Sequence, residues 1–396
     1  MHPSGRTLVI LMAAAQLGSL LPHVAVPALM PSHLIPEWGL SYSEAGLMAA
    51  SAAAGYMLAV PVLTTLTDRV DARWILFWGS LVSGLATVLF GILATGLVSA
   101  IVLWGLAGVG FAGAYMPGLK ALTDRLDPGD SSRSVTLYTG SFSVGVGVSF
   151  LVSQLVAEHW GWRAAFIVTG IGPAAMAGVA LMLRPVTPPP RSGPLLDFRP
   201  VLRNREVMGY VMGYGAHCFE LYGMRTWLVA FWTFVTATAG GAVPIDAITL
   251  SFVASVLSLP ASVLGNEAAL RFGRHRAVTV VMFCSALVAA AVGLTAGVSP
   301  WLSLVLVVCY SLTVPADSGA LTSGLTAAAD PHFRGATLAL YSMVGFGLSA
   351  LGGWVVGVAI DIAGGPESPR GWLAAFAVMG AGILLGPPAL WWSRRR

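Results

Sequence analysis

Residues 161–183 read GWRAAFIVTGIGPAAMAGVALML, and residues 371–393 read GWLAAFAVMGAGILLGPPALWWS. Both are apolar runs about as long as the ~20 residues a helix needs to cross the hydrocarbon core of a bilayer. Both open on Gly-Trp, followed two residues later by Ala-Ala-Phe, at positions 161–166 and 371–376. Two related membrane helices 210 residues apart in a chain of 396 make the first case for an internally repeated membrane protein.

Composition agrees. Hydrophobic residues make up 56% of the chain and charged residues 10%, less than half the usual charged share. The mean hydropathy of +0.80 excludes an ordinary soluble fold and a disordered chain. Working outward from the two quoted runs, the sequence offers twelve spans, at 7–30, 44–66, 74–94, 97–122, 134–157, 163–183, 206–236, 247–269, 276–297, 300–329, 335–363 and 371–393. Their hydrophobicity is continuous and lacks the alternation of barrel strands, so the expected fold is an all-α polytopic membrane protein. The first run is too long for the apolar part of a signal peptide and lacks a small-residue cleavage motif, so it reads as an uncleaved span.

The basic residues order the spans. Of 21 Lys and Arg, seventeen fall in the termini and the even-numbered connections, and only Arg163 and Arg370 fall in the odd-numbered ones. Basic loops stay in the cytoplasm, so both termini are expected there. The net charge of +4 does not form a basic soluble face, which removes nucleic acid as a partner. Cys218, Cys284 and Cys309 all lie inside apolar runs and make neither a disulfide framework nor a zinc site. HExxH, GxSxG and P-loop patterns are all missing, so neither an enzyme nor a cofactor is expected.

Arg184 to Glu206 holds six prolines and five arginines and divides the spans six and six. The expected domains are therefore 1–183, a cytoplasmic linker at 184–205, and 206–396. The halves repeat in register at other places too. Arg69 and Arg73 match Arg271 and Arg274 or Arg276 at an offset near 202, and Thr136-Leu137 matches Thr337-Leu338 at 201. Repeated bundles in one chain are a common plan for transporters, with the substrate site between them.

On these features the whole chain resembles the major facilitator superfamily of secondary transporters. The loop running through Thr64, Leu66, Asp68, Arg69, Val70, Asp71, Ala72 and Arg73 is similar to that family's GxxxDRxGRR signature. It departs at Thr64 and Asp71, where glycines are usual, and at Ala72, where a basic residue is usual. The resemblance implies two six-helix bundles and a conformational latch at Asp68, Arg69 and Arg73; the alternative is a solvated loop obeying the charge rule. Two signatures of proton-coupled and drug-exporting members are missing: Trp104 stands where an arginine is usual before Gly108 and Gly110, and the fifth span has no proline. The segments His217 to Trp227 and Asp317 to Ala320 are similar to a bacterial branch near the cyanate and nitrate porters, although the second and eighth spans lack a nitrate porter's arginines.

Charges inside spans are the functional candidates, because an ionised side chain at mid-bilayer costs about 2.5 to 3.5 kcal/mol on insertion scales. Lys120, Glu220, Arg225 and Asp317 qualify, and His23 lies in the first span. By the resemblance, their helices line the central cavity of the family. Glu220 and Asp317 are expected to carry a coupling proton. Arg225, His217, Trp227, Tyr214, Lys120 and His23 are expected to bind substrate, with Arg225 facing an anion. Competing readings are ion pairs that lock helices together, a Lys120 that snorkels to the surface, and a His23 that simply packs. Glu220 and Arg225 lie about 140° apart on a straight helix. Either Gly223 breaks that helix or the two residues face different partners. Glu267 and Asp361, at span ends, read as interfacial.

The expected function is a monomeric inner-membrane secondary transporter for a small polar solute, an organic or inorganic anion, coupled to protons. Efflux of amphipathic compounds is the alternative, and a membrane protein without transport activity is the remote one.

Overall fold

The computed structural model describes residues 5–126, 131–188, 197–240 and 243–394. Residues 189–196, the middle of the expected linker, lie outside the described residues, as do Arg395 and Arg396. Among the described residues the structure is helical, without strands. The helices are α1 (Gly5–Leu20), α2 (Ala25–Leu29), α3 (Ile35–Trp38), α4 (Tyr42–Leu66), α5 (Ala72–Leu93), α6 (Leu97–Thr123), α7 (Ser131–Ile171) and α8 (Pro173–Met182). They continue as α9 (Arg199–Arg203), α10 (Arg205–Thr238), α11 (Ala247–Phe272), α12 (Arg274–Leu294), α13 (Pro300–Thr313), α14 (Ser318–Ala328), α15 (Arg334–Ile362), α16 (Pro369–Ile383) and α17 (Gly386–Arg394).

Nine helical stretches among the described residues are long and apolar enough to cross a membrane, or ten if the bent pair Gly5–Leu20 and Ala25–Trp38 is one span. This count differs from the twelve runs of the sequence for two physical reasons. Leu137–Met182 is a single apolar stretch by length and hydropathy, yet Gly161 breaks it with φ +82° and ψ 163°, a conformation that glycine adopts without penalty. The 34-residue α10 is long enough, but His217, Glu220, Arg225 and its tyrosines dilute its apolar character.

The contacts divide the chain into two compact units, residues 1–25 with 51–197, and residues 26–50 with 198–396. In the first unit, helices cross where both lack a side chain. A Cβ on Gly55 of α4 would stand 2.1 Å from the Gly105 carbonyl oxygen of α6, and one on Gly108 would stand 1.9 Å from the Ala52 oxygen. Small residues at such crossings let backbones approach closely, which is how membrane helices gain packing energy without a hydrophobic drive. The chain between α1 and α2 is broken at Leu21 to Val24, and a side chain repairs it. Ser149 Oγ donates to the Leu21 carbonyl at 2.6 Å and accepts from Val24 N–H at 3.1 Å. Such repair is what makes a broken helix tolerable at membrane depth. Arg163 closes the last turn of α5, donating to the Gly91 and Ala94 carbonyls, each at 3.1 Å, while lying over the Trp162 ring.

The second unit shows the same accounting at the start of α4. Ser41 and Glu44 form a capping box, with Ser41 N–H on Glu44 at 2.9 Å and Glu44 N–H on Ser41 Oγ at 3.2 Å. The remaining open donors, Tyr42 N–H and Ser43 N–H, go to the two carboxylate oxygens of Asp361 on α15, at 3.1 and 2.6 Å. Asp361 is therefore the cap of another helix, a role its position at a span end did not reveal.

The repeated motifs are packing motifs. Trp162 gathers Phe90 and Phe166, and Trp372 gathers Phe231 and Phe234 while its indole donates to the Pro366 carbonyl.

Replacing Gly55 with alanine forces α4 and α6 apart and is expected to cost about 1–3 kcal/mol as overpacking. Thermal denaturation in detergent checks this against Gly178→Ala, where an added Cβ meets nothing within 4 Å. Equal melting temperatures for the two variants would remove the close crossing as a determinant of stability.

Candidate functional site

The residues with the richest chemistry sit in the second unit on the middle of α10, which runs unbroken through Gly223. Its face meets α12, α13, the tight turn Val314–Asp317 and α15. Glu220 is completely buried. Its Oε1 accepts from Ser285 Oγ of α12 at 2.9 Å and from Tyr310 OH of α13 at 3.0 Å. Its Oε2 is buried without a hydrogen-bond partner among the described residues. One turn earlier, His217 Nδ1 lies 2.6 Å from Asp317 Oδ1, with both side chains buried. Asp317 reaches this place because Pro315 ends the helical ladder of α13 and the chain turns tightly through Val314–Asp317 before α14.

Around this pair the rings stack. Tyr214 lies 3.8 Å from the Tyr341 ring of α15, nearly parallel, and 5.6 Å from the His217 ring. The guanidinium of Arg225, buried one turn beyond Glu220, sits 5.7 Å from the Tyr222 ring. Glu220 and Arg225 therefore face different partners, which settles the geometric choice left by their angular separation. Trp227 is buried, stacks on Tyr42 at 5.0 Å and donates to the Gly353 carbonyl at 2.8 Å. A small apolar pocket lined by Met224, Phe231, Val307, Phe376 and Met379, among others, opens against Trp227 and Tyr310.

Chemically, Glu220 has two hydroxyl donors on one oxygen and room for a proton on the other. A carboxylate so buried is costly unless neutralised. His217 and Asp317 stand within ion-pair distance, although neither His217 Nδ1 nor Asp317 Oδ1 makes a well-aligned hydrogen bond among the described residues. Two protonatable stations thus lie one helical turn apart. Among the described residues no three His, Cys, Asp or Glu side chains converge as metal ligands.

The remaining candidates lie in the first unit. His23, in the broken turn after α1, rests 5.0 Å from Phe111 and 5.1 Å from Phe142. Lys120 is half-exposed near the end of α6 and bonds both oxygens of Asp124, one turn on, at 2.9 and 3.1 Å. In the loop after α4 the organising residue is Asp71. Its carboxylate caps α5 through Arg73 N–H at 3.0 Å, accepts from Val186 N–H at 2.8 Å, and meets Arg125 at 2.7 and 3.0 Å and Arg73 Nε at 3.3 Å. Arg73 and Arg125 also donate to the Leu183 and Arg184 carbonyls. Asp68 and Arg69 precede this knot and have contacts of their own.

Burial pushes the Asp71 carboxyl up, but the bonds from Arg125, Val186 and Arg73 outweigh it and hold it below the usual carboxylate range. Ser285, Tyr341, Asp71 and Arg125 were not legible as site residues. A lone serine or tyrosine in an apolar span carries no periodic signal, and Asp71 was visible only as a departure from a glycine position.

A family model described as Major Facilitator Superfamily matches residues 8–353. Sugar efflux transporter A of Dickeya chrysanthemi is 32% identical over 165 residues, 39% of this chain and 38% of that protein. A probable hexose phosphate transport protein of Chlamydia pneumoniae is 22% identical over 142 residues, 36% of this chain and 31% of that protein. The chain thus spans about a third of the length of these relatives. Among solved structures, a bacterial homolog of the human lysosomal transporter Spinster, inward-facing and occupied, superposes with TM-score 0.74 at 17% identity, covering 97% of this chain and 95% of that one. The nucleoside transporter NupG gives TM-score 0.73 at 13% identity over 98% and 100% of the two chains.

Asp71→Asn leaves the buried Arg125 without its counter-charge and is expected to cost about 3 kcal/mol. Because the Asp71 carboxyl is held below its ordinary value, its contribution is complete above about pH 4 and is lost as pH falls through the folded value. Melting curves from neutral to acid pH check this: the gap between wild type and Asp71→Asn should narrow only at the acid end, and a gap that is constant throughout overturns the assignment.

Proposed function

This chain belongs to the Major Facilitator Superfamily of transporters, and on that premise we propose that it is a proton-coupled carrier of a small polar solute, an organic or inorganic anion. Secondary transport follows from the family. The coupling ion, the solute class, alternating access between two bundles, the inner membrane as location and a monomeric state are the proposal.

One observation carries the coupling. Glu220 is a fully buried acid on a membrane helix, braced by Ser285 and Tyr310 on one oxygen and open on the other. Such a group moves between membrane faces far more readily as the neutral acid than as the anion, so its proton travels with it. The His217–Asp317 pair, one turn away, is the second station, taking up the proton as Glu220 releases it. Arg225 supplies the planar fork that a carboxylate or phosphate accepts bidentately, and Tyr214 with Tyr341 supplies a stacked face. The names of two relatives, one for sugar efflux and one for hexose phosphate, support a hydroxyl-rich or phosphorylated solute. Lys120 and His23 are secondary candidates, and Asp68, Arg69 and Arg73 remain the proposed latch. Trp227, whose indole is engaged by Gly353 and Tyr42, shapes the wall of the site.

The test is transport in proteoliposomes. Glu220→Gln should abolish uptake driven by a pH gradient and spare solute exchange; unchanged pH-driven uptake removes Glu220 as the proton carrier. The solute class is found by thermal shift against carboxylates, phosphates, sugars, nucleosides and lipophilic cations. Arg225→Ala should weaken binding of the stabilising anion about 10- to 100-fold, the worth of one charge-assisted hydrogen-bond pair. Stabilisation by many lipophilic cations, retained in Arg225→Ala, would favour efflux of amphipathic compounds. Export is also the direction in the name of the Dickeya relative, and comparing right-side-out with inverted vesicles decides it.

A further inference from the structure

A serine inside a helix commonly keeps its hydroxyl proton on its own backbone. Ser251, Ser255, Ser258, Ser311 and Ser349, all buried in the second unit, each donate to the carbonyl four residues back on their own helix. Ser285 does not. It is equally buried on α12, and its hydroxyl crosses to Glu220 Oε1 on α10. Tyr310 on α13 gives its hydroxyl proton to the same oxygen. Donors from two different helices thus converge on one carboxylate oxygen, and all three side chains are enclosed.

An oxygen that accepts two hydrogen bonds has both its lone pairs engaged, whereas Oε2 has no partner among the described residues. The proton of the neutral acid therefore belongs on Oε2, with Oε1 as the carbonyl. The charged groups around Glu220 are few. Asp317, in the turn after α13, is an acid within electrostatic reach. On α10 itself His217 stands against Asp317, and Arg225 lies over Tyr222. α12 carries its ionisable side chains in its first turn, apart from the exposed Cys284; α14 has none, and α16 has only Arg370 at its start. α11, α15 and α17 carry theirs near their ends, except for Tyr341 beside Tyr214. Among the described residues no cation pairs with Glu220, so its anion is offset by hydroxyl dipoles alone. Hydrogen bonds donated to the charged form favour that form.

We propose that Ser285 and Tyr310 are the positioning residues that set how readily Glu220 releases its proton: they hold Oε1 as an acceptor, direct the proton to Oε2 and stabilise the carboxylate left behind. This rests on Glu220 being the proton carrier. On release the Oε2–H bond breaks, the electron pair stays on the carboxylate, and the proton passes to the His217–Asp317 pair. Without the two hydroxyls the buried anion has a like-charged neighbour in Asp317 and nothing to offset it, so the proton is retained.

Infrared difference spectroscopy of the purified full chain in lipid, titrated with acid and base, tests both the atom and the role, with the proton itself as probe. The C=O stretch of protonated Glu220 is the band lost in Glu220→Gln. Hydrogen bonds to a carbonyl oxygen lower its stretching frequency, so Ser285→Ala and Tyr310→Phe should each move the band to higher frequency. Each should also raise the midpoint of its titration by about one to two pH units, the worth of one hydrogen bond to a charged group. Ser285→Thr, which keeps a hydroxyl, should titrate like the wild type, and Tyr310→Phe keeps the ring against the apolar pocket. Residues that only pack helices would change the melting temperature and neither the band nor the midpoint. A Glu220 band that titrates with frequency and midpoint unmoved in both variants overturns the proposal and leaves Glu220 as the proton carrier. A Glu220 that does not titrate removes the carrier reading, and the proposal with it. If size-exclusion shows that neither variant folds, the wild-type band decides: a low frequency supports the doubly bonded carbonyl, and the frequency of a free acid overturns it.

Discussion

Hydrocarbon offers no water to an open N–H, a bare carbonyl or a charge, so a chain that enters it must answer each of them from its own residues. Much of this structure is that answer. Ser149 repairs the break between α1 and α2, Arg163 closes the carbonyl end of α5, and Asp361 with the Ser41–Glu44 box satisfies the start of α4. Where no polar group needs answering, glycine and alanine bring helix backbones into contact, as at Gly55 on Gly105.

The same constraint makes the repeat informative where it fails. Trp162 and Trp372 keep one role in both units, an indole closing an aromatic cluster. Asp71 and Gly273 do not. A carboxylate that ties Arg73 and Arg125 to a helix start is present in one half, and a turning glycine stands at that place in the other. Duplicated halves share their packing more readily than their charge balance.

At the centre of the second unit the constraint becomes chemistry. A buried acid held by two hydroxyls, beside a histidine–aspartate pair, places protonatable groups where a fixed charge would be expensive. The Tyr214 and Tyr341 rings stack on the side of α15, and a small apolar pocket lies against Tyr310.

By itself, the amino-acid sequence determined the class of fold, the family and the helices that carry charge. Those are properties of runs, counts and spacings: apolar length, the placement of arginine, and the Gly-Trp repeat. It also located Glu220, His217 and Asp317, because a titratable residue in an apolar run stands out in one dimension. Only the tertiary structure decided which of them meet. Ser285 and Tyr310 come to Glu220 from 65 and 90 residues away, and Asp317 reaches His217 because Pro315 turns its helix. Asp361 read as an interfacial charge at a span end, and Asp71 as a residue of the loop after the second span, until folding set each against the start of a helix. Hydrogen bonds and ion pairs act over about 3 Å, and which side chains come that close depends on how helices cross, which no local pattern of residues records.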